Sequence, residues 1–169
     1  MQANLQELKE TYSRQTYSVF SINRQQKIAD SQVTFSLAHS VFIIPVFGAA
    51  EITIGGNEFV CEGTTVVHVP AGQTVTYRTL YGRSFDHVNI YYDGVQGDTS
   101  SPIFNAYAFD PQGFDRILDK TLDLEKLNTT PLLDNRVAQI VNGTELIKSM
   151  FLLTNSQKVQ ESMAEARTY

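Results

Sequence analysis

The chain is short of cysteine, of positive charge and of long apolar runs, and each shortage closes a class of explanation. One cysteine, Cys61, in 169 residues leaves no partner for an intramolecular disulfide and no multi-cysteine zinc site, and it suits a reducing compartment. Thirteen Lys and Arg stand against eighteen Asp and Glu, a net charge of −5. No basic field is therefore available to condense on phosphates, and the chain by itself is a poor nucleic-acid binder. No stretch approaches the roughly 18 apolar residues of a membrane span. The start, Met1-Gln-Ala-Asn-Leu-Gln-Glu-Leu-Lys, lacks the apolar centre of a signal peptide, so the expected location is cytoplasmic, and the sequons at Asn128 and Asn142 are read as chance.

What the chain does have is 42% apolar and 11% aromatic residues, enough for one core. No Lys or Arg occurs between Lys27 and Arg78, and that stretch carries most of the Val, Ile, Phe and Thr. Val41 to Phe47 is a short apolar run, and Ala50 to Ile54 and Glu58 to Glu62 alternate on either side of Gly55-Gly-Asn57. Such a break between alternating runs reads as a hairpin, because tight primed turns need positive φ. Thr64 to Val69, Val75 to Leu80 and Phe85 to Tyr92 follow, and Tyr17 to Asn23 and Val33 to His39 precede. Short strands punctuated this often belong to a sandwich or barrel. Leu5 and Leu8 suggest a weak lead helix within residues 1–12.

From Pro111 the period changes. Phe114, Ile117, Leu118 and Leu122 fall at helical spacing, and Thr130-Pro131 has the composition of a second helix start, a good N-cap followed by a preorganised first residue. Two units are expected: a β barrel over 1–112 and a helical dimerisation segment and linker over 113–169. Gly143 argues against one continuous helix. Ile140, Ile147, Met150 and Phe151 spread apolar surface over more than one side of the second helix. A small barrel covers one side, so a symmetric partner helix is the expected cover and the chain a homodimer.

Three histidines, His39, His68 and His87, show neither His-x-His nor His-x-x-x-His spacing. His68 and His87 would need Cys61 or Glu58 as a third ligand, so no metal or other cofactor is expected. His68, among Val67 and Val69 beside a turn, reads more simply as a half-buried histidine bonded to a backbone group. Cys61 has no basic neighbour to make it reactive. Tyr77 and Thr79, with His87, Asn89 and Tyr91 at alternate positions, combine aromatic surface and polar tips. If that set points inward the barrel has a small-molecule pocket; if Val88 and Ile90 do, it is filled.

The segment Gly48-Ala-Ala-Glu-Ile-Thr-Ile-Gly-Gly-Asn-Glu-Phe-Val-Cys-Glu-Gly63, followed by Val66-Val-His-Val-Pro70-Ala-Gly72, resembles the cupin pattern, and in particular the ligand-sensing N-terminal domain of AraC-type bacterial transcription regulators. The resemblance implies a cupin-like double-stranded β-barrel (jelly roll) followed by C-terminal α-helices. Val75 stands where cupin enzymes place a metal-binding histidine, and their His-x-His…Glu motif is missing. That implies a metal-free sensor with no catalytic residues; from the strand alternation above, its small effector is expected to bind through Tyr77, His87, Asn89 and Tyr91, with His68. DNA would be contacted only through a separate helix-turn-helix domain absent from this chain. The His68 segment also resembles sensor domains of regulators from spore-forming bacteria, some of which respond to siderophores, so the effector expected is sugar-like or siderophore-like. The rival expectation is a metal-free cupin isomerase or epimerase using a His/Tyr acid–base pair.

Overall fold

A computed structural model describes residues 5–14, 17–94, 105–130, 132–152 and 154–160. In chain order the elements are α1 (Leu5–Arg14), β1 (Tyr17–Lys27), β2 (Gln32–Ser36), β3 (Ser40–Phe47), β4 (Ala50–Ile54), β5 (Asn57–Cys61), β6 (Val66–Val69), β7 (Thr74–Thr79), β8 (Phe85–Gly94), β9 (Tyr107–Pro111), α2 (Phe114–Lys126), a 3-10 turn (Leu127–Thr129), α3 (Leu133–Leu152) and β10 (Thr154–Gln160). The strands form a six-stranded sheet, β1-β8-β3-β6-β9-β10, and a four-stranded sheet, β2-β7-β4-β5, with antiparallel pairing. This is a mainly β, cupin-like jelly roll with C-terminal helices.

Alternation along each strand builds two cores from one sheet. Val41, Ile43, Val67 and Val69 face the four-stranded sheet and meet Ile52, Phe59, Cys61 and Val75 inside the barrel. Phe42, Ile44, Val88, Ile90, Tyr92 and Phe109 face the other way and are covered by Leu8 and Tyr12 of α1, Ile117 and Leu124 of α2, and Leu146, Ile147, Met150 and Phe151 of α3. Each large side chain so buried contributes about 1.5–3 kcal/mol.

The β4–β5 hairpin turns at Gly55 and Gly56, with φ of 53° and 89°, as the Gly-Gly-Asn break predicts. Gly48 is held by space as well as by φ, since an added Cβ would collide with the carbonyl of Ser84.

Several expectations change. The helix expected at Thr130-Pro131 begins at Leu133; Thr130 instead closes the 3-10 turn, and its carbonyl accepts from Asn135 Nδ2 at 2.7 Å, while Pro131 lies outside the described residues. Gly143 does not interrupt α3, because Val19 and Ile22 of β1 occupy the space a side chain would need. Within the helical segment and linker expected over 113–169 the structure also places a strand, β10, which pairs with β9. β9 itself carries no alternation of polar and apolar residues, being buried almost throughout.

The expected dimer contact needs correction. Ile147, Met150 and Phe151 are at most 2% exposed: the six-stranded sheet offers a full aromatic face for them, and Phe151 stacks on Tyr12 at 4.3 Å and on Phe109 at 4.9 Å. Ile140 is half-buried. Among its described side chains, the large apolar ones that α3 leaves in solvent are Leu133, Val137 and Val141, 78%, 50% and 56% exposed, one turn apart.

Candidate functional site

The register of β1 against β8 sets Ser21 opposite Tyr91, Asn23 opposite Asn89, Gln25 opposite His87 and Lys27 opposite Phe85. Paired residues share a face, so these eight form one stripe on the inner side of the six-stranded sheet, while Val88, Ile90 and Tyr92 face the helices. The polar set of β8 points into the barrel. Among the described residues, β1 and β2 are edge strands of their respective sheets, and along this side the two sheets are not hydrogen-bonded to each other. The space between these two edges, the cleft, has the polar stripe on one side and the β2 side chains Val33 and Phe35, paired with Tyr77 and Val75, on the other. Its mouth is solvated: Asn23 is exposed, Ser21 and Tyr91 are half-buried and Phe35 is 45% exposed.

Five side chains of this region form a hydrogen-bonded ring. Lys27 Nζ lies 2.9 Å from Gln25 Oε1 and 3.0 Å from His87 Nε2. Gln25 Nε2 and Asn89 Nδ2 donate to the Tyr91 hydroxyl at 3.1 and 2.9 Å, and His87 Nδ1 is 2.8 Å from Asn89 Oδ1. An ammonium only donates, so His87 Nε2 accepts and Nδ1 carries the proton toward Asn89. The imidazole is neutral: burial first, then the Lys27 charge, lowers its pKa to about 4. Phe85 and Tyr77 stack against it at 4.7 and 5.4 Å. Burial also raises the Tyr77 hydroxyl pKa, with the neighbouring Tyr91 adding to the effect.

Lys27 is the charged member. Its ammonium sits 4.6 Å from the centre of the Tyr77 ring and 5.2 Å from that of Phe35. Among the described residues no carboxylate lies within ion-pair distance of it. Burial lowers its pKa to about 8, which still leaves it mainly charged at neutral pH. A buried cation compensated only by dipoles and ring faces raises the potential of the cleft and favours an anionic group there. Tyr91 accepts two hydrogen bonds, and its own hydroxyl hydrogen is available to a third partner.

His68 is not part of this cleft. It projects from the opposite face of the sheet and is fully buried beneath the helices. Its Nδ1 donates to the Asn105 carbonyl at 2.8 Å, the kind of backbone bond expected of it, which leaves Nε2 to accept from Tyr92 at 2.6 Å. Tyr107 donates to Tyr12 at 2.8 Å, and Tyr12 lies 2.7 Å from Tyr92. A one-way chain therefore runs Tyr107, Tyr12, Tyr92, His68, Asn105. Burial lowers the His68 pKa to about 3.

His39 pairs with Asp93 at 2.6 Å and stacks on Phe20. His68 and His87, on opposite faces, cannot share a metal, and among the described residues no three His, Cys, Asp or Glu converge on one point. The Cys61 thiol is buried and its pKa is raised by that burial. Of the residues expected from the sequence, the structure brings Tyr77, His87, Asn89 and Tyr91 together, and it adds Lys27, Gln25 and Phe35, which were not among them. The available signal was the alternation Ser21, Asn23, Gln25, Lys27, ending at the last cation before the stretch without Lys or Arg.

A groove of about 280 Å³ also lies between α2 and α3, lined by Asp123, Leu124, Glu145 and Leu146 among others. It contains none of the site residues expected from the sequence.

No family model matches the chain, and no curated protein matches it. Among solved structures, ToxT from Vibrio cholerae strain SCE256, with an unsaturated fatty acid bound, is similar over 82% of this chain and 53% of its own, at 11% identity and a TM-score of 0.50. The ethanolamine utilization protein EutQ of Salmonella typhimurium LT2 is similar over 47% of this chain and 69% of its own, at 9% identity and a TM-score of 0.38. The salicylate 1,2-dioxygenase of Pseudaminobacter salicylatoxidans covers 48% of this chain and 28% of its own, at 8% identity and a TM-score of 0.39. The chain therefore spans about half the length of ToxT and under a third of the dioxygenase. The likeness to ToxT is one of fold, extending past the barrel into the helices.

Proposed function

We propose that this chain is the effector-binding and dimerisation domain of an AraC-type bacterial transcription regulator. ToxT, an AraC-family regulator, supports the reading because the shared fold runs over most of this chain. The observation that carries it is the cleft itself, with Lys27 buried without a carboxylate at one end and Phe35, Tyr77 and Val33 forming an apolar wall. This pairing suits a small acid with an apolar body better than a sugar. The ToxT structure, holding an unsaturated fatty acid, points the same way.

In this reading the effector lies between β1 and β2, its acidic group toward Lys27 and Tyr91, without any metal. It changes the relative population of two arrangements of barrel and helices, which requires different affinity for the two. Two copies meet through the exposed α3 face at Leu133, Val137 and Val141, and DNA is contacted by a separate helix-turn-helix domain. The isomerase alternative has less support. His68 and its tyrosines are sealed from solvent, and both nitrogens of His87 are already engaged.

Calorimetry with a C16 monounsaturated fatty acid, an aromatic carboxylic acid, the corresponding alcohols and a neutral sugar tests the assignment. The acids should bind and the alcohols bind less. Lys27→Met should cost at least about tenfold in acid affinity, equivalent to about 1.4 kcal/mol, with alcohol binding little changed. Full affinity in both Tyr77→Ala and Asn89→Ala would sink the site.

A further inference from the structure

β1 has one face in the cleft and its other face and free edge against the helices. Ser21, Asn23, Gln25 and Lys27 line the cleft. On the opposite face Val19 and Ile22 press on α3 where it has no side chain: a Cβ at Gly143 would lie 3.1 Å from Val19 Cγ2 and 3.4 Å from Ile22 Cδ1. Among the described residues β1 is an edge strand, and two of its carbonyls are taken by the helical hairpin. Asn128 Nδ2 donates to Ile22 O and Arg136 Nη2 to Phe20 O, each at 2.6 Å. Asn128 Oδ1 accepts in turn from Gln139 Nε2 at 2.7 Å, which also donates to Leu124 O at 2.9 Å. The end of α2, the 3-10 turn and the first half of α3 are thus clamped to two carbonyls of one strand. Between Val19 and Ser21 the β1–β8 register shifts, so the clamp sits at the irregularity where the strand yields most readily.

We propose that β1 is the coupling strand, carrying the occupancy of the cleft to the exposed face of α3 through Asn128, Arg136 and Gly143. This rests on reading the cleft as the effector site, and it adds the route by which that site is heard. β8 has the same two-faced alternation but is held by β1 on one side and β3 on the other. β1, with one sheet neighbour, shifts at lower cost. A displacement of β1 by an occupant must then either move the 3-10 turn and α3 with it or break both carbonyl bonds. Leu133 and Val137 flank Arg136, so such movement reaches the apolar face directly.

The experiment needs no natural ligand. Asn23→Cys places a thiol in the open part of the cleft, and Cys61 is buried, so N-ethylmaleimide fills the cleft at one position. Thr34→Cys, on the outward face of β2 where Thr34 pairs with Thr76, is the control. Hydrogen exchange over residues 136–144 should change several-fold on labelling Asn23→Cys and not on labelling Thr34→Cys. The change should collapse when Asn128→Ala and Arg136→Gln are added. Should that combination fail to fold by circular dichroism, Gly143→Ala, which wedges α3 from β1, replaces it with the same expectation. An α3 indifferent to the Asn23 label, or equally responsive after the clamp is removed, overturns the proposal. A cleft that binds no acid in calorimetry while the label effect persists would instead overturn the effector reading alone.

Discussion

Two neutral imidazoles, packed on opposite faces of the same sheet, dominate the residue-scale electrostatics. In an unfolded chain each titrates near 6.5, while burial lowers His68 to about 3 and His87 to about 4. As pH falls below 6.5 the unfolded state takes up protons that the fold refuses, so stability is lost through the window from 6.5 down to those values. The rate is roughly 1.4 kcal/mol per pH unit for each group. Urea midpoints should therefore drop steeply between pH 6.5 and 4.5, and His87→Asn should flatten the slope. A parent protein equally stable at both pH values would mean that the imidazoles are solvated. Lys27 is the second cause of the His87 depression, after burial. In Lys27→Met the His87 resonances should titrate at a higher pH than in the parent, and an unmoved titration would place Lys27 outside the ring. The same variant removes the donor to His87 Nε2 and Gln25 Oε1, a loss of about 1–3 kcal/mol in stability.

At the scale of elements, the described part of the N-terminal segment contributes side chains to the core. Residues 1–24 read as a candidate moving part, since terminal segments order and disorder at little cost. Yet Leu8, Tyr12, Val19 and Ile22 are buried, and Tyr12 is the middle of the tyrosine chain. Tyr12→Phe leaves the Tyr107 hydroxyl without its acceptor and should cost about 1–3 kcal/mol, measured by denaturant unfolding. A cost near zero would mean the chain of hydroxyls does not anchor α1. Gly143→Ala opposes two effects. Helix propensity favours alanine by up to about 1 kcal/mol, while crowding against Val19 costs about 1–3 kcal/mol. The variant should be less stable than the parent, and adding Val19→Ala should relieve the crowding part in a double-mutant cycle.

For the whole molecule the question is which apolar surface is left to bury. Val137→Glu and Val141→Glu alter side chains already in solvent and should yield a folded monomer by light scattering, against the dimer proposed for the parent. Phe151→Glu should instead unfold the protein, because it forces a carboxylate into the space between Tyr12 and Phe109. A parent protein that is monomeric at tens of micromolar would remove dimerisation from the proposal. A Phe151→Glu variant that stays folded would show that α3 is not docked as described.

What the sequence determined by itself was set by local rules: the strand pattern from Tyr17 to Tyr92, the Gly55-Gly56 hairpin, the start of α2 at Phe114, and the sharing of one strand face by His87, Asn89 and Tyr91, which requires only that a strand have two faces; which face is inward came from the structure. The tertiary structure decided what depends on a second surface. Whether His68 shares the cleft or the helix interface was open, because alternation relates residues within β6 and β8 but not which face of each meets the helices. The apolar breadth of α3 reads as a partner's footprint until the six-stranded sheet supplies Phe42 and Phe109 to cover it. Gly143 reads as a helix breaker until Val19 is seen in its place. Lys27 reads as an ordinary surface cation because neither charge nor periodicity reveals a ring of acceptors and aromatic faces contributed by β1, β2, β7 and β8. Burial, which turns that lysine into an anion-seeking group and those histidines into neutral ones, belongs to the packed sheets and to no segment of the chain alone.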